Sequence, residues 1–268
     1  MQLRGAVVVI TGAGSGIGAA MARRFAVEGA AALLLADLDL PSVQRLAAEL
    51  GDDGCRTLAL QVDVAVREQV EAMIDRAEAE LGPVDLLCSN AGIGIGAGLD
   101  ATDEQWERAW QVNVLSQLHG ARAVVPRMVA RGSGYLLHTA SAAGLLTTPG
   151  DAPYTATKHA AVGFAEWLAV TYGGRGIGVS TLCPQAVNTP LLQDAAESGN
   201  ASALAVRAAS AVLEPEDVAD AVVAGLAEER FLILPHPEVA DHVAFKAADR
   251  DRWIGALRRA LAGSGTLG

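Results

Sequence analysis

Three residues in the second half of the chain have the types and spacing for acid–base chemistry on an alcohol or a carbonyl group. Tyr154 and Lys158 are four positions apart on a predicted helix, so their side chains share one face. Ser141 comes 13 residues before Tyr154 and ends a predicted strand, where open α/β sheets place their ligands. Because an adjacent ammonium favours a phenolate, we expect Lys158 to lower the pKa of Tyr154 and Ser141 to orient the substrate oxygen.

A glycine-rich segment, TGAGSGIG, follows the first predicted strand and is typical of a dinucleotide site. Glycines at this turn let backbone amides approach a pyrophosphate, and the N-terminus of the following helix stabilises its charge. The residues that we expect to contact it are Gly12, Ser15, Gly16, Ile17 and Gly18. Asp37 ends the second predicted strand, 19 residues beyond Gly18, where a carboxylate binds the adenosine ribose diol. A carboxylate there repels the 2′-phosphate of NADP, so the segment predicts NAD as the cofactor; alternatively, Asp37 only caps the next turn.

An alternation of strands and helices must position these residues. Short apolar runs recur along the chain with helical stretches between them, which is typical of parallel strands covered on both faces. The predicted strands are Ala6–Ile10, Ala32–Ala36, Thr57–Val62, Val84–Ser89, Tyr135–Thr139, Gly178–Leu182 and Phe231–Leu234. Seven such units with right-handed crossovers predict one α/β domain over residues 1–268, a Rossmann-like, doubly wound parallel sheet. The alanine-rich segment 189–213 breaks the alternation and is predicted to be a substrate lid, the alternative being a surface helical excursion.

The order of these motifs along nearly the whole chain resembles the short-chain dehydrogenase/reductase family, NAD type. The resemblance is carried by the TGxxxGxG spacing, Asp63-Val64 after the third predicted strand, Ser89-Asn90-Ala91-Gly92 after the fourth, Asn113, Ser141 and the YxxxK pair. It implies hydride transfer between an alcohol carbon and nicotinamide while Tyr154 takes the hydroxyl proton. It also implies that Lys158 binds the nicotinamide ribose and that Asn113 holds a water in a proton relay. The further cofactor contacts that it implies are Asp63, Val64, Asn90, Ala91, Gly92, Pro184, Val187 and Thr189.

Two positions depart from the family's pattern. Ser89 replaces the first asparagine of Asn-Asn-Ala-Gly, and Gln185 stands where glycine is usual. We expect Gln185 to face the substrate or to reduce the size of the pocket. The expected substrate contacts are Ile93, Ala143, Gln185 and Leu191. Their mostly apolar character predicts a lipophilic or cyclic secondary alcohol or ketone. Two alternatives stay open: an NADPH-type carbonyl or 3-oxoacyl reductase, and a dinucleotide-binding sensor without catalysis.

The composition narrows the range of partners. Acidic residues outnumber basic ones by 31 to 20, and the net charge of −11 disfavours nucleic acid and anionic membranes. Three cysteines without close pairing predict neither a disulfide framework nor a metal site, and we see no spanning or signal segment, so a cytoplasmic protein is expected. The family resemblance implies a homotetramer, or else a homodimer. Residues Glu238–Leu261 are predicted to form a last amphipathic helix that covers a neighbouring site or a subunit contact.

Overall fold

A seven-stranded parallel sheet with the strand order β3-β2-β1-β4-β5-β6-β7 forms the centre of the protein. The structure is a computed structural model that describes residues 1–52, 54–197 and 199–264. The strands are β1 (Val7–Thr11), β2 (Ala32–Asp37), β3 (Arg56–Gln61), β4 (Leu86–Ser89), β5 (Gly134–Thr139), β6 (Ile177–Leu182) and β7 (Leu232–Ile233). The predicted doubly wound sheet is confirmed, although β7 is two residues shorter than expected. Ser198 of the predicted lid and residues 265–268 of the predicted domain lie outside the described residues.

Eleven α-helices are found in the described ranges. They are α1 (Gly16–Val27), α2 (Leu40–Asp52), α3 (Arg67–Glu80), α4 (Asp103–Trp110), α5 (Ser116–Arg131), α6 (Ala152–Tyr172), α7 (Pro190–Glu197), α8 (Ala201–Ala209), α9 (Pro215–Ala227), α10 (Glu238–Ala248) and α11 (Arg250–Ser264). A π-helical turn, Gln111–Leu115, joins α4 to α5, and a 3₁₀ turn, Ala142–Gly144, follows β5. None of the described helices combines the length and the apolar character needed to cross a lipid bilayer.

The central strands are buried on both faces because two apolar layers cover the sheet, whereas β3 at one edge is only partly buried. One layer packs Val8 and Ile10 against Phe25 of α1 and Val218 of α9. The opposite layer includes Val9, together with apolar residues of α3, α5 and α6. This packing explains why the strands read as continuous apolar runs rather than as alternating patterns. The strand order reverses between β1 and β4, and this is the point where open α/β sheets bind their ligands.

The segment 189–213 folds into α7 and α8, and backbone hydrogen bonds join its two ends to each other and to the residues after β6. Asn188 donates its backbone N–H to Leu213 O at 2.8 Å, and Leu213 donates to Ala186 O at 3.1 Å. At the far side, the amide of Asn200 caps α8 and lies so close to Gly96 that a Cβ there would be 1.7 Å from Asn200 Nδ2. The insertion therefore contacts the loop that follows β4.

The C-terminal segment differs from the single helix that the sequence predicts. Asp249 adopts an extended conformation, with φ −153° and ψ 95°, and separates α10 from α11. Its carboxylate accepts the backbone N–H of Arg252 at 2.9 Å, as an N-terminal cap does. An aspartate that caps a new helix has therefore divided the predicted one.

Candidate active site

One cleft of about 710 Å³ lies at the carboxyl ends of the strands and collects most of the predicted residues. All of the predicted site residues line it except Gly18 and Asn113. The lining residues from the prediction are Gly12, Ser15, Gly16, Ile17, Asp37, Asp63, Val64, Asn90, Ala91, Gly92, Ile93, Ser141, Ala143, Tyr154, Lys158, Pro184, Gln185, Val187, Thr189 and Leu191. Residues far apart in the sequence thus meet in one place because every strand points its carboxyl end at this edge.

The glycine-rich turn has the close packing that a dinucleotide cradle needs. Gly12 has a φ of +65°, and a Cβ on it would lie 2.9 Å from Ala91 Cα. Gly18 lies behind the turn, where a Cβ would be 2.1 Å from Gly12 O, so it permits the turn rather than lining the cleft. Ser15 precedes α1 without a side-chain capping hydrogen bond, which leaves the first N–H groups of that helix for an anion. The turn therefore fits a pyrophosphate.

The side chain of Asp37 accepts two backbone N–H groups of the turn around it. Its Oδ2 accepts the N–H of Gly14 at 2.9 Å, and its Oδ1 accepts the N–H of Asp39 at 3.1 Å. A carboxylate offers about four lone-pair positions, so two remain for a ribose diol. The side chain is half-buried and lines the cleft. It caps the turn and also presents a carboxylate to the cleft, and its ribose role stays a prediction.

Asn90 joins the ends of three strands through its side chain. Its Nδ2 donates to Thr11 O at 3.1 Å and to Gly12 O at 3.3 Å, while its Oδ1 accepts from Thr139 Oγ1 at 3.0 Å. Thr11 Oγ1 in turn accepts the N–H groups of Asn90 and Ala91. Thr11 is the first residue of the TGxxxGxG motif, although the sequence assigned it no role. Thr139 was missed because a threonine at a strand end carries no distinguishing signal.

The three catalytic candidates come together as expected. Tyr154 lies in the first turn of α6, and its hydroxyl interacts with that of Ser141. Ser141 Oγ accepts the N–H of Ala143 at 3.1 Å, which orients the hydroxyl. Lys158 Nζ donates to Thr139 O at 3.2 Å and lies 5.4 Å from the centroid of the Tyr154 ring. The helix spacing therefore brings phenol, hydroxyl and ammonium to one wall of the cleft.

The expectation that Lys158 lowers the pKa of Tyr154 is wrong for this structure. Burial raises the pKa of Tyr154 to about 12, the Ser141 hydroxyl opposes this increase, and the negative charge of Asp151 adds to it. Burial also lowers the pKa of Lys158 to about 8. Desolvation by the surrounding protein is the largest cause of both shifts, although Tyr154 keeps part of its surface in the cleft. In this state the phenol is held in its protonated form.

Asn113 lies behind the cleft rather than in its wall. The residue is fully buried in the π-helical turn, a feature that often marks functional positions. Its Oδ1 accepts the N–H of Ile93 at 2.9 Å, and its Nδ2 donates to Ile93 O at 2.9 Å and to Thr157 Oγ1 at 3.1 Å. Asn113 thus holds the loop after β4 against α6.

Asp151 is a site residue that the sequence reasoning missed. It is 5% exposed, lines the cleft and accepts three backbone N–H groups. The donors are Tyr154 at 2.9 Å, Ile95 at 2.9 Å and Gly96 at 2.7 Å. The pattern of an aspartate shortly before a proline in the first turn was a recognisable helix start. Asp151 fixes the N-terminus of α6 and therefore the position of Tyr154.

Gln185 lies in the cleft wall, as predicted, and its surroundings involve the C-terminal part of the chain. Its Oε1 is buried and has no hydrogen-bond partner among the described residues. Its backbone N–H donates to His236 Nδ1 at 3.1 Å, in the segment after β7. Lys246 of α10 contacts the loop that follows β5, where Nζ donates to Leu145 O at 2.7 Å and Leu146 O at 2.9 Å. The sequence contained no signal that paired these distant residues.

Comparison with known proteins agrees with this geometry. The sequence profile of short chain dehydrogenases matches residues 6–200. The chain is 37% identical to 1-deoxy-11-beta-hydroxypentalenate dehydrogenase of Streptomyces exfoliatus over 243 residues, covering 89% of this chain and 86% of that protein. It is 36% identical to 3beta-hydroxysteroid dehydrogenase 2 of Eggerthella lenta over 207 residues, covering 75% of this chain and 79% of that protein.

A solved structure extends the similarity to the whole fold. It is a short chain dehydrogenase/reductase from Burkholderia phymatum in complex with NAD, superposes with a TM-score of 0.86 and is 34% identical. The match covers 94% of this chain and 96% of that one. Profile, relatives and fold agree, and this chain belongs to the short-chain dehydrogenase/reductase family of oxidoreductases.

Proposed function

We propose that the protein transfers a hydride between NAD(H) and a secondary alcohol or ketone, with Tyr154 as the acid–base residue. The observation that carries this proposal is the meeting of Ser141, Tyr154 and Lys158 in the cleft whose other end holds the glycine turn and Asp37. The related structure in complex with NAD supports the choice of cofactor. Asp37 disfavours the NADPH-type reductase, and the complete set of Ser141, Tyr154 and Lys158 disfavours a sensor without catalysis.

The residues of the glycine turn would hold the pyrophosphate, and Asp37 would hold the adenosine ribose. Asp63 and Val64 would lie against the adenine, and Pro184, Val187 and Thr189 against the nicotinamide. Bound there, NAD supplies the ring carbon that accepts the hydride from the alcohol or returns it to the ketone. Lys158 would bind the nicotinamide ribose, because its ammonium already lies at the wall between Thr139 and Tyr154.

The protein's own contribution to the chemistry is proton transfer and orientation. In oxidation, the alcohol carbon loses its hydrogen as hydride, a carbonyl forms, and Tyr154 accepts the hydroxyl proton. In reduction, the protonated phenol returns that proton to the carbonyl oxygen. Ser141 would hold the same oxygen, since its hydroxyl already contacts that of Tyr154. Because burial raises the pKa of Tyr154 to about 12, oxidation requires removal of its proton and should accelerate as the pH rises.

We infer a neutral, lipophilic or cyclic substrate. Among the described residues that line the cleft, Arg108 and Lys158 are the cations, and Arg108 pairs with Asp63 at 3.3 Å, away from the reacting groups. The remaining wall is mostly apolar: Ile93, Ile95, Ala143, Leu146, Leu191, Leu192, Ala203 and Val206. The relatives named for a hydroxypentalenate and a hydroxysteroid support this class. In this proposal α7 and α8 form the lid.

We also propose that the protein is a homotetramer, or else a homodimer, in the cytoplasm. An exposed apolar face on α6 supports subunit contact, because Trp167 is 54% and Val170 is 87% exposed. The three cysteines are free thiols, which supports a reducing compartment. Light scattering coupled to gel filtration measures the assembly, and a monomer would contradict this part of the proposal.

The substitution Tyr154→Phe tests the proposed chemistry. It removes the hydroxyl but keeps the ring, so NADH binding should stay close to that of the wild type while turnover falls by about 10²- to 10⁴-fold. Tyr172→Phe is the matched control, because Tyr172 ends the same helix outside the cleft. Near-native turnover of Tyr154→Phe would remove the assignment. A wild type that oxidises no alcohol in a broad panel with NAD would favour the sensor.

A further inference from the structure

Two loops form the walls of the substrate end of the cleft, and side chains from beyond β7 hold both of them. The first loop follows the 3₁₀ turn after β5 and places Leu146, Thr147 and Thr148 in the wall. The second follows β6 and places Pro184 and Gln185 there. Neither His236 nor Lys246, which hold these loops, lines the cleft itself.

Lys246 binds the first loop through its backbone. Its Nζ donates to Leu145 O at 2.7 Å and to Leu146 O at 2.9 Å, and it lies 3.4 Å from His159 Nε2. The ammonium also lies 5.0 Å from the centroid of the Trp253 ring of α11. An ammonium has three N–H donors, and Leu145 O, Leu146 O and His159 Nε2 can each accept one of them. The contact therefore places a charged, fully engaged side chain of α10 on the loop that follows Ser141.

His236 binds the second loop and the lid together. The side chain is 1% exposed, and its Nδ1 accepts the N–H of Gln185 at 3.1 Å. Since Nδ1 is the acceptor, the ring proton is on Nε2, which donates to Ala211 O at 3.1 Å. Ala211 lies at the end of the predicted lid, so one imidazole connects the loop beside the reacting centre to the base of the lid.

We propose that His236 and Lys246 are positioning residues that set the shape of the substrate end of the cleft from outside it. They act through the backbone of Gln185, Leu145 and Leu146 and touch neither the substrate nor the cofactor. The assignment rests on the proposed function in one respect only, namely that the molecule bound at the substrate end of the cleft is an alcohol or a ketone. It gives the C-terminal segment a task within its own subunit: α10 braces one wall, and the segment before α10 braces the other.

Paired substitutions separate the hydrogen bonds from general packing. Lys246→Met keeps the aliphatic stem and removes the donors, whereas Lys246→Arg retains donors and should restore most of the function. His236→Asn keeps an acceptor near the position of Nδ1, and His236→Gln keeps a donor near that of Nε2. Arg258→Met on α11 is the control, since it changes an exposed cation without a hydrogen bond to either loop.

The readouts are the KM and kcat for cyclohexanol and for a 3β-hydroxysteroid, together with the Kd of NADH. Lys246→Met and His236→Gln should each raise the KM of the steroid roughly two- to tenfold, the range for one net hydrogen bond, with Lys246→Met at the upper end because it removes two bonds to its loop. We expect a smaller effect on cyclohexanol, which covers less of these loops than a steroid does. NADH affinity should be unchanged in Lys246→Met. In His236→Gln it should fall less than the steroid KM rises, because Val187 and Thr189 of that loop are also proposed nicotinamide contacts. Equal losses in NADH affinity and steroid KM, or no change in either, would overturn the proposal.

Hydrogen exchange of the NADH complex tests the contacts of His236 and Lys246 with the two loops without any turnover. Amide exchange should accelerate in residues 185–189 of His236→Gln, because Gln185 loses its acceptor, and in residues 145–148 of Lys246→Met. Exchange should stay at the wild-type rate in Arg258→Met. Unchanged exchange in these loops would refute the positioning role of His236 and Lys246, even if the variants are active. If the wild type oxidises no alcohol, the proposed function is refuted instead. The exchange measurement then still decides whether His236 and Lys246 hold the two loops.

Discussion

The choice between NAD and NADP should depend on Asp37, and the substitution Asp37→Ala measures this dependence. Among the residues that the structure describes, Asp37 is the carboxylate that lines the cleft and accepts the N–H of Gly14 in the glycine turn. Two of its four lone-pair positions remain available for the proposed ribose diol. Removing the carboxylate therefore removes the ribose contact and also the repulsion of a 2′-phosphate.

The magnitude follows from the kind of hydrogen bond that is lost. A hydrogen bond to a charged group contributes about 1.5–3 kcal/mol, and each 1.4 kcal/mol is about a factor of ten in Kd. We therefore expect Asp37→Ala to weaken NADH binding by about 10- to 150-fold. NADPH binding should weaken less or improve. Adding Leu38→Arg should favour NADPH further, since Leu38 is 53% exposed, lines the cleft and can present a cation to the phosphate.

Fluorescence titration with NADH and with NADPH measures the dissociation constants of the wild type and of each variant directly. Asp39→Ala is the matched control: Asp39 is a neighbouring carboxylate that caps Ser42 in the same turn but does not line the cleft. It should leave both affinities close to those of the wild type. If Asp37→Ala leaves the ratio of NADH to NADPH affinity unchanged, the ribose role is wrong and Asp37 only caps the turn. An equal effect of Asp39→Ala would lead to the same conclusion.

Three further substitutions test the electrostatics and the packing of the site. Asp151→Asn removes a charge that raises the pKa of Tyr154, so the alkaline rise of alcohol oxidation should move to lower pH in a kcat–pH profile; an unmoved midpoint would argue against the electrostatic role. Burial lowers the pKa of Lys158 to about 8 from about 10.5, so between these pH values the unfolded chain binds more protons than the folded protein. The free energy of unfolding of the wild type relative to Lys158→Met should therefore increase from pH 8 to pH 10.5 in urea titrations, and a decrease would contradict the burial. Gly18→Ala would place a Cβ 2.1 Å from Gly12 O and should abolish NADH binding and lower the Tm, whereas Gly51→Ala in α2, where the nearest atom is 3.9 Å away, should do neither.

The fold was predictable because its determinants are local and repeat along the chain. Apolar runs such as Val7–Thr11 form strands that must be covered on both faces, and the right-handed crossover rule leaves few topologies. The ends of the helices were harder to predict where a side-chain hydrogen bond determines them. Asp249 divides the last predicted helix because its carboxylate caps α11, and that competition was not visible from apolar spacing alone.

The lining of the site was largely predictable for a different reason. Parallel strands bring their carboxyl ends to one edge, so motifs that follow β1, β2, β4, β5 and β6 converge regardless of their separation in sequence. The structure showed what surrounds these motifs. Asp151 was missed because two of its three N–H donors, Ile95 and Gly96, lie in the loop after β4, 56 and 55 residues earlier in the sequence. Asn113 proved to hold the backbone of Ile93 from behind the cleft.

The sequence by itself determined the family, the sheet and the residues that meet at its edge, since glycines at a tight turn and a tyrosine four residues before a lysine act through local geometry. Only the tertiary structure decided the electrostatics and the walls of the substrate end. Burial is a property of the folded chain, so the sequence suggested a lowered pKa for Tyr154 where desolvation raises it. The contacts of His236 and Lys246 join positions 51 and about 100 residues apart, and only the packed chain brings such positions within hydrogen-bond distance.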